Sequence, residues 1–293
     1  MKSARLIRPT ILLLAMVSVL AVLAAGQAPV EAATTRKLLW SQEFTGKAGV
    51  GFSSTYFKPD LGNGFGWGNA ELEYYTSGTS NMATDGNGNM VITAKRIPDT
   101  SPILNTCDNC QFTSGKVTTS GKLGFKYGRL EARMKMPAGS GMWPAFWMLG
   151  SSLTSGNIWP ECGEIDIMEG KGSEPNRAYG TVHGPGYYGG NGGQRGSAYD
   201  FSSFLSSGFH TYAIEWRPNA IDFYFDSFKY YTITSAMVKP NKWVFNNEFF
   251  LIVNLATGGN FDPNLDPSIQ SSSLTIDYIR YYSLNGIGTL IKH

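Results

Sequence analysis

Apolar and polar residues alternate with a period of two through most of the chain beyond residue 33, and no long stretch carries the 3.6-residue repeat of an amphipathic helix. Tyr127–Met136 is the clearest case. Arg129, Glu131, Arg133 and Lys135 fall on one face, and Leu130, Ala132, Met134 and Met136 on the other. The same pattern predicts strands over Ile221–Asp226 and Ile276–Tyr282. Further strands are predicted over Asn89–Lys95, Thr113–Ser120, Met142–Leu149, Tyr179–His183, Phe209–Arg217 and Phe249–Leu255. Turn-forming clusters such as Arg217-Pro218-Asn219 and Gly184-Pro185-Gly186 separate them. Many short strands without intervening helices predict an all-β sandwich or jelly roll. No internal repeat or interdomain linker interrupts the pattern, so residues 33–293 are expected to form one domain.

One predicted strand breaks the alternation. Glu164-Ile165-Asp166-Ile167-Met168-Glu169 places three carboxylates within six residues of an apolar run, flanked by Gly163 and Gly170. In a regular strand Glu164 and Asp166 share a face and Glu169 points away. A β-bulge at Ile167-Met168 returns Glu169 to the face of the other two. Three carboxylates held together raise one another's pKa, which suits a site that needs one ionised and one protonated acid. A solvated acidic stripe is the plainer alternative.

The N-terminus reads as a targeting segment. Lys2, Arg5 and Arg8 precede an apolar run from Thr10 to Ala25, and small residues follow, with cleavage expected after Ala32 or Ala33. The apolar run is short for a membrane span, which needs about 20 residues. The protein is therefore expected to be exported, with residues 1–32 removed. That segment carries three of the 24 basic and one of the 22 acidic side chains, so 21 of each remain. A neutral chain has no electrostatic footprint for nucleic acid or an anionic membrane surface, and suits a neutral substrate. The 35 Gly, 15 Tyr, 17 Phe and 7 Trp favour strands, tight turns and aromatic platforms.

Cys107 and Cys110 lie in a polar loop of an exported chain and are read as a local disulfide. Cys162 is then an unpaired thiol serving as packing. The Gly-rich stretch Gly184–Gly196 lacks the Lys-Ser/Thr ending of a phosphate cradle and is expected to form a mobile loop at the rim of a cleft.

Two Glu with a third acid between them are what a retaining glycosidase needs: a nucleophile, and an acid that later serves as base. Four effective strand positions span about 13 Å, and two Glu side chains leaning together recover roughly 3–4 Å each. The resulting separation of about 5–7 Å approaches the roughly 5–5.5 Å of a retaining pair. Trp143 and Trp147 share strand parity about twenty residues before the acids, where their rings would stack on the C–H faces of sugars.

These motifs resemble glycoside hydrolase family 16. The resemblance rests on Gly163 to Glu169, on Trp143-Pro144-Ala145-Phe146-Trp147, on Tyr127 to Arg133, and on Trp67-Gly68-Asn69 with Glu71 and Tyr74-Tyr75. Phe209 to Tyr212, Asn254-Leu255-Ala256 with Gly258-Gly259, and Asp277 to Arg280 extend it, in order, over nearly the whole exported chain. It implies a jelly roll of two curved antiparallel sheets with an open cleft on the concave face. Glu164 would be the nucleophile, Glu169 the general acid/base, and Asp166 a partner that hydrogen-bonds the nucleophile. The extra Met168 resembles the bulged motif of laminarinases, which implies endo-hydrolysis of β-1,3-glucans with mixed-linkage glucan as a second substrate. Other family activities, on agarose or carrageenan or by transglycosylation, use the same acids, and relatives without the glutamates only bind glucan. Asn69, Arg96 and His183 would bond sugar hydroxyls, with a structural role the alternative for His183; His210 is expected to be structural. The resemblance also implies a structural calcium held by Asp277 with backbone help near Glu43, no cofactor for catalysis, and a monomer. Two departures stand out: Ile97–Thr113 is long, and Phe261–Ser273 lacks a Phe-Pro step common in the family.

Overall fold

A computed structural model describes residues 34–107, 109–189 and 193–293. The segment read as an export signal lies outside the described residues. The described chain forms nineteen strands in order. The first eight are β1 (Arg36–Gln42), β2 (Lys58–Pro59), β3 (Glu73–Tyr75), β4 (Met82–Thr84), β5 (Met90–Arg96), β6 (Phe112–Ser114), β7 (Lys116–Thr118) and β8 (Leu123–Lys126). There follow β9 (Gly128–Lys135), β10 (Met142–Gly150), β11 (Glu164–Gly170), β12 (Arg177–His183), β13 (Arg195–Asp200) and β14 (His210–Arg217). The chain ends with β15 (Ala220–Phe225), β16 (Phe228–Thr234), β17 (Phe249–Thr257), β18 (Ser271–Leu284) and β19 (Thr289–Lys292).

Two sheets form a jelly-roll sandwich. The outer sheet runs β16-β15-β14-β9-β18-β5-β6-β3, with β1 added to β18 and β4 to β5. The cleft sheet runs β13-β12-β11-β10-β17-β7-β2, with β8 joining β17 to β19. All pairings are antiparallel except β3 with β6. The apolar faces predicted by alternation meet between the sheets. Leu130, Ala132 and Met134 of β9 share one core with Phe146 and Met148 of β10, Ile165 and Ile167 of β11, and Leu251 and Val253 of β17. Each such side chain, fully buried, contributes about 1.5–3 kcal/mol. On the outer face Arg129 is buried with its charge matched: its Nε donates to Glu131 Oε2 at 2.6 Å and its Nη1 approaches Glu215 at 3.4 Å.

The predicted strand over Thr113–Ser120 is instead two strands in different sheets. β6 pairs with β5 in the outer sheet, and β7 pairs with β17 in the cleft sheet. The crossing falls at Gly115, where a Cβ would lie 2.2 Å from Met82 Cγ. The missing side chain lets Met82 and the crossing chain occupy one place, and the alternation of the flanking residues carries no sign of the change of sheet. β13 emerges from the end of the Gly-rich stretch read as loop. The long Ile97–Thr113 segment builds a small core of its own from Ile97, Cys107 and Cys110, packed by Tyr74, Ile103 and Leu104. The structure links Cys107 to Cys110, and Cys162 is a buried free thiol.

The two residues expected to hold calcium carry other partners. Asp277 accepts from Arg133 Nη1 at 2.5 Å, and Glu43 takes both Nε and Nη2 of Arg280 at 2.9 and 2.7 Å. Each carboxylate faces a guanidinium, whose charge opposes a dication at that side chain. At Asp277 this opposes the expected calcium, while the pairing of the Glu43 side chain leaves the backbone near Glu43 unaffected.

Gly150 sets how closely β10 approaches the segment leading into β11, since a Cβ there would stand 1.9 Å from the Cys162 carbonyl oxygen. Gly150→Ala is expected to destabilise the domain by about 1–3 kcal/mol or more, read from chemical denaturation.

Candidate active site

β11 is bulged. β10 pairs Phe146 with Met168 and Trp147 with Asp166, leaving Ile167 without a partner. On the other side β12 pairs Asp166 with Thr181 and Glu169 with Tyr179, so Ile167 and Met168 together face Gly180 alone. The unpaired residue opposite β10 is thus Ile167 rather than Met168. Both turn into the core, at 2 % and 0 % exposure, and the parity change brings Glu169 to the face of Glu164 and Asp166. All three acids line one cleft, together with Trp143, Trp147 and Asn69.

Each glutamate meets an indole. Trp143 Nε1 donates to Glu169 Oε1 at 2.9 Å, and Trp159 Nε1 donates to Glu164 Oε2 at 2.5 Å. Trp143 is backed by Phe261, at 4.9 Å between ring centroids, and Phe261 by Tyr179 at 5.3 Å. His183 Nδ1 accepts from Gly189 N–H at 3.0 Å, which leaves the ring proton on Nε2. Nε2 stands 3.0 Å from Asp166 Oδ2, at ion-pair distance but off the line of a hydrogen bond, so Oδ2 stays without an aligned donor. Glu164, Asp166 and His183 are the one group of acids and histidine among the described residues close enough to share an ion. With its proton on Nε2, His183 has no free lone pair on the nitrogen that faces Asp166 and offers no metal ligand there.

Trp147 begins a polar chain along the cleft floor. Its Nε1 donates to Asn254 Oδ1 at 2.7 Å, Asn254 Nδ2 donates to Tyr75 Oη at 3.0 Å, and Tyr75 Oη reaches Glu71 Oε2 at 3.4 Å. Asn69 Nδ2 completes it on Glu71 Oε1 at 3.1 Å. Arg96 is not brought to the cleft. It ends β5 in the outer sheet, where Nε donates to Ile269 O at 2.8 Å and Nη2 to Asp266 O at 3.3 Å, tying down the connection before β18. The expectation that it bonds sugar hydroxyls is corrected on that ground. His210 sits outside the cleft lining, with Nδ1 3.1 Å from Asp226 Oδ2.

Four residues in or beside the cleft had no role assigned from sequence. Lys116 is buried with Nζ 3.8 Å from the Trp67 ring centroid; its only signal was a cation in a short apolar strand. Glu71 and Asn254 lay in quoted motifs without a role. The contact of Trp159 with Glu164 carried no signal, because it depends on a turn that residue spacing does not reveal.

All three acids titrate high. Burial pushes Glu164 up to about 8, with the charge of Asp166 adding and His183 and Trp159 opposing. Burial pushes Glu169 up to about 7, with Glu164 adding and the Trp143 hydrogen bond opposing. Asp166 lies well above the carboxylate range through burial and then the charge of Glu169. Carboxyls this close titrate as a set, so near neutral pH the cluster holds both proton and negative charge. Taken singly the two values would leave the proton on Glu164 before Glu169, so the division of labour between them depends on where the shared proton sits once a substrate occupies the cleft.

A jelly roll whose cleft sheet presents such a cluster beside stacking tryptophans defines a carbohydrate-cleaving site. The family model for Glycosyl hydrolases family 16 matches residues 70–280, and the chain belongs to that family and is a glycoside hydrolase. The chain is 37 % identical over 254 residues to a β-glucanase of Rhodothermus marinus, covering 84 % of this chain and 85 % of that one. It is similar to the laminarinase catalytic domain from Thermotoga maritima, with 38 % identity, a TM-score of 0.77, and coverage of 85 % and 98 %. It is likewise similar to the endo-β-1,3-glucanase from Pyrococcus furiosus, with 39 % identity, a TM-score of 0.77, and coverage of 85 % and 95 %.

Trp143→Phe keeps a ring but removes the donor that favours the Glu169 anion, so Glu169 should hold its proton to higher pH. The alkaline limb of the pH–rate profile is expected to move upward. The same upward shifts make wild-type stability fall as pH rises from the ordinary carboxylate range to about 7 and 8, because unfolded carboxyls lose protons that the buried ones keep. Glu169→Gln should therefore melt above wild type at pH 9 and show little difference at pH 4, in paired calorimetric scans.

Proposed function

We propose that the protein is an exported endo-β-1,3-glucanase acting with retention of anomeric configuration. The observation that carries the reading is the bulge in β11, which gathers Glu164, Asp166 and Glu169 on the cleft face. In the first step the Glu164 carboxylate attacks the anomeric carbon, while Glu169 gives its proton to the departing glycosidic oxygen. A glycosyl ester to Glu164 forms and the inter-sugar bond breaks. In the second step Glu169, now a carboxylate, takes a proton from water. The oxygen of that water attacks the same carbon and releases Glu164.

The neighbours suit these roles. Trp159 N–H steadies charge on Glu164 as it leaves the ester, and Asp166 with His183 behind it keeps a proton available beside the nucleophile. Trp143 holds the Glu169 carboxyl in place and offers ring surface to a sugar. The bulged motif and the laminarinase relatives support β-1,3 linkages, and the lining that runs from β11 to β2 supports internal cleavage of a long chain.

Glu164→Gln and Glu169→Gln are each expected to lower reducing-end release from laminarin by about a thousandfold or more, with melting curves showing the fold intact. A panel of laminarin, curdlan, lichenan, agarose and carrageenan tests the linkage. Cleavage of lichenan alone refutes the β-1,3 assignment, and cleavage of none by the native protein refutes the hydrolytic one. Proton NMR during turnover should show the β-anomer as first product; an initial α-anomer excludes retention.

A further inference from the structure

The loop from Asp60 to Ala70 contributes Asp60, Trp67 and Asn69 to the cleft lining and carries a feature the two-acid chemistry does not use. Phe65 at its tip is 102 % exposed, and Leu61 in the same loop is 56 % exposed. A phenyl ring left in water forgoes all that its burial would contribute. Nor is the loop slack. Phe65, Trp67 and Ala70 hold left-handed backbones with φ of 58°, 52° and 58°, conformations costly to residues other than glycine.

A compact hydrogen-bond frame holds that strain. Asn63 Nδ2 donates to the carbonyls of Glu71 and Glu73 at 3.1 and 2.9 Å, and its Oδ1 accepts from Gly66 N–H at 2.7 Å. Gly66 O accepts from the N–H groups of Asn69 and Glu71 at 2.8 and 3.1 Å. A Cβ on Gly66, itself at φ 72°, would press to 3.0 Å from Glu71 N. A rigid and strained scaffold thus holds an aromatic ring out into solvent, as a ligand-contacting loop does.

Its location indicates the ligand. The loop follows β2, the edge strand of the cleft sheet, and its own Asp60, Trp67 and Asn69 line the cleft that holds the acids. From β11 to β2 there are four inter-strand steps, roughly 19 Å at about 4.8 Å each. A polymer lying across the strands from the acids leaves the cleft at this loop.

We propose that Phe65 is a terminal sugar-binding platform, stacking on the C–H face of a glucosyl ring several units from the bond that breaks. This rests on the β-glucan reading above and adds a length dependence to it: only chains that reach the cleft edge gain from the ring. Phe65→Ala should raise KM about fivefold on polymer and on the longest oligosaccharides, leave kcat within about twofold, and leave the shortest cleaved oligosaccharide unaffected. Phe65→Trp should restore wild-type values. An equal loss at every length, or no change on polymer, overturns the proposal. The assay runs β-1,3 and mixed-linkage series side by side, so cleavage of the mixed-linkage series alone would refute the β-1,3 reading while the length comparison still decides on Phe65. Calorimetric titration of both series into Glu164→Gln, with and without Phe65→Ala, reads the same length dependence without turnover: a loss of affinity confined to long chains supports the platform, and a length-independent result overturns it.

Discussion

Burial of Ile167 and Met168 is the constraint on which the site depends. Both are inside the core, and a strand can place two adjacent side chains on one face only by a bulge. The apolar core therefore enforces the irregularity that the chemistry exploits. The core free energy of two large side chains, about 1.5–3 kcal/mol each, holds Glu169 on the same face as Glu164. Without that inward pull a regular strand would send Glu169 to the opposite face.

Gathering three carboxyls in a part-buried cleft is unfavourable by itself, and the surroundings temper it without cancelling it. Indole donors meet Glu164 and Glu169, while Asp166 has only an unaligned histidine. The result is a cluster whose acids all titrate upward, which retains a proton where isolated carboxyls would have lost theirs. A like-charge cluster that weakens the fold at high pH is thus also the store of the catalytic proton. On the outer sheet the opposite arrangement holds: Arg129, Arg133 and Arg280 each face a carboxylate, and those groups serve the fold.

Much of this was legible along the chain. Inward faces of β9, β10 and β17 followed from alternation, because one face of each strand meets the other sheet. The acids and both tryptophans of β10 followed from parity once a bulge was admitted. Arg96 was misplaced because alternation does not say which sheet a strand joins, and β5 belongs to the outer one. The arginine partners of Asp277 and Glu43 were not legible, because they stand 144 and 237 positions away. Lys116 was missed because its neighbours in the aromatic cage come from β10 and from the loop after β2.

By itself the sequence determined the all-β class, the composition of the core and the identity of the acids, since these depend on periodicity and on residue type within one strand. Tertiary structure alone decided which sheet each strand joined, where the chain crossed at Gly115, and which donors met the acids. It also left Phe65 exposed on a loop whose Trp67 and Asn69 line the cleft. Those outcomes depend on distances between segments far apart in the chain, and alternation within a strand carries no information about what lies across from it.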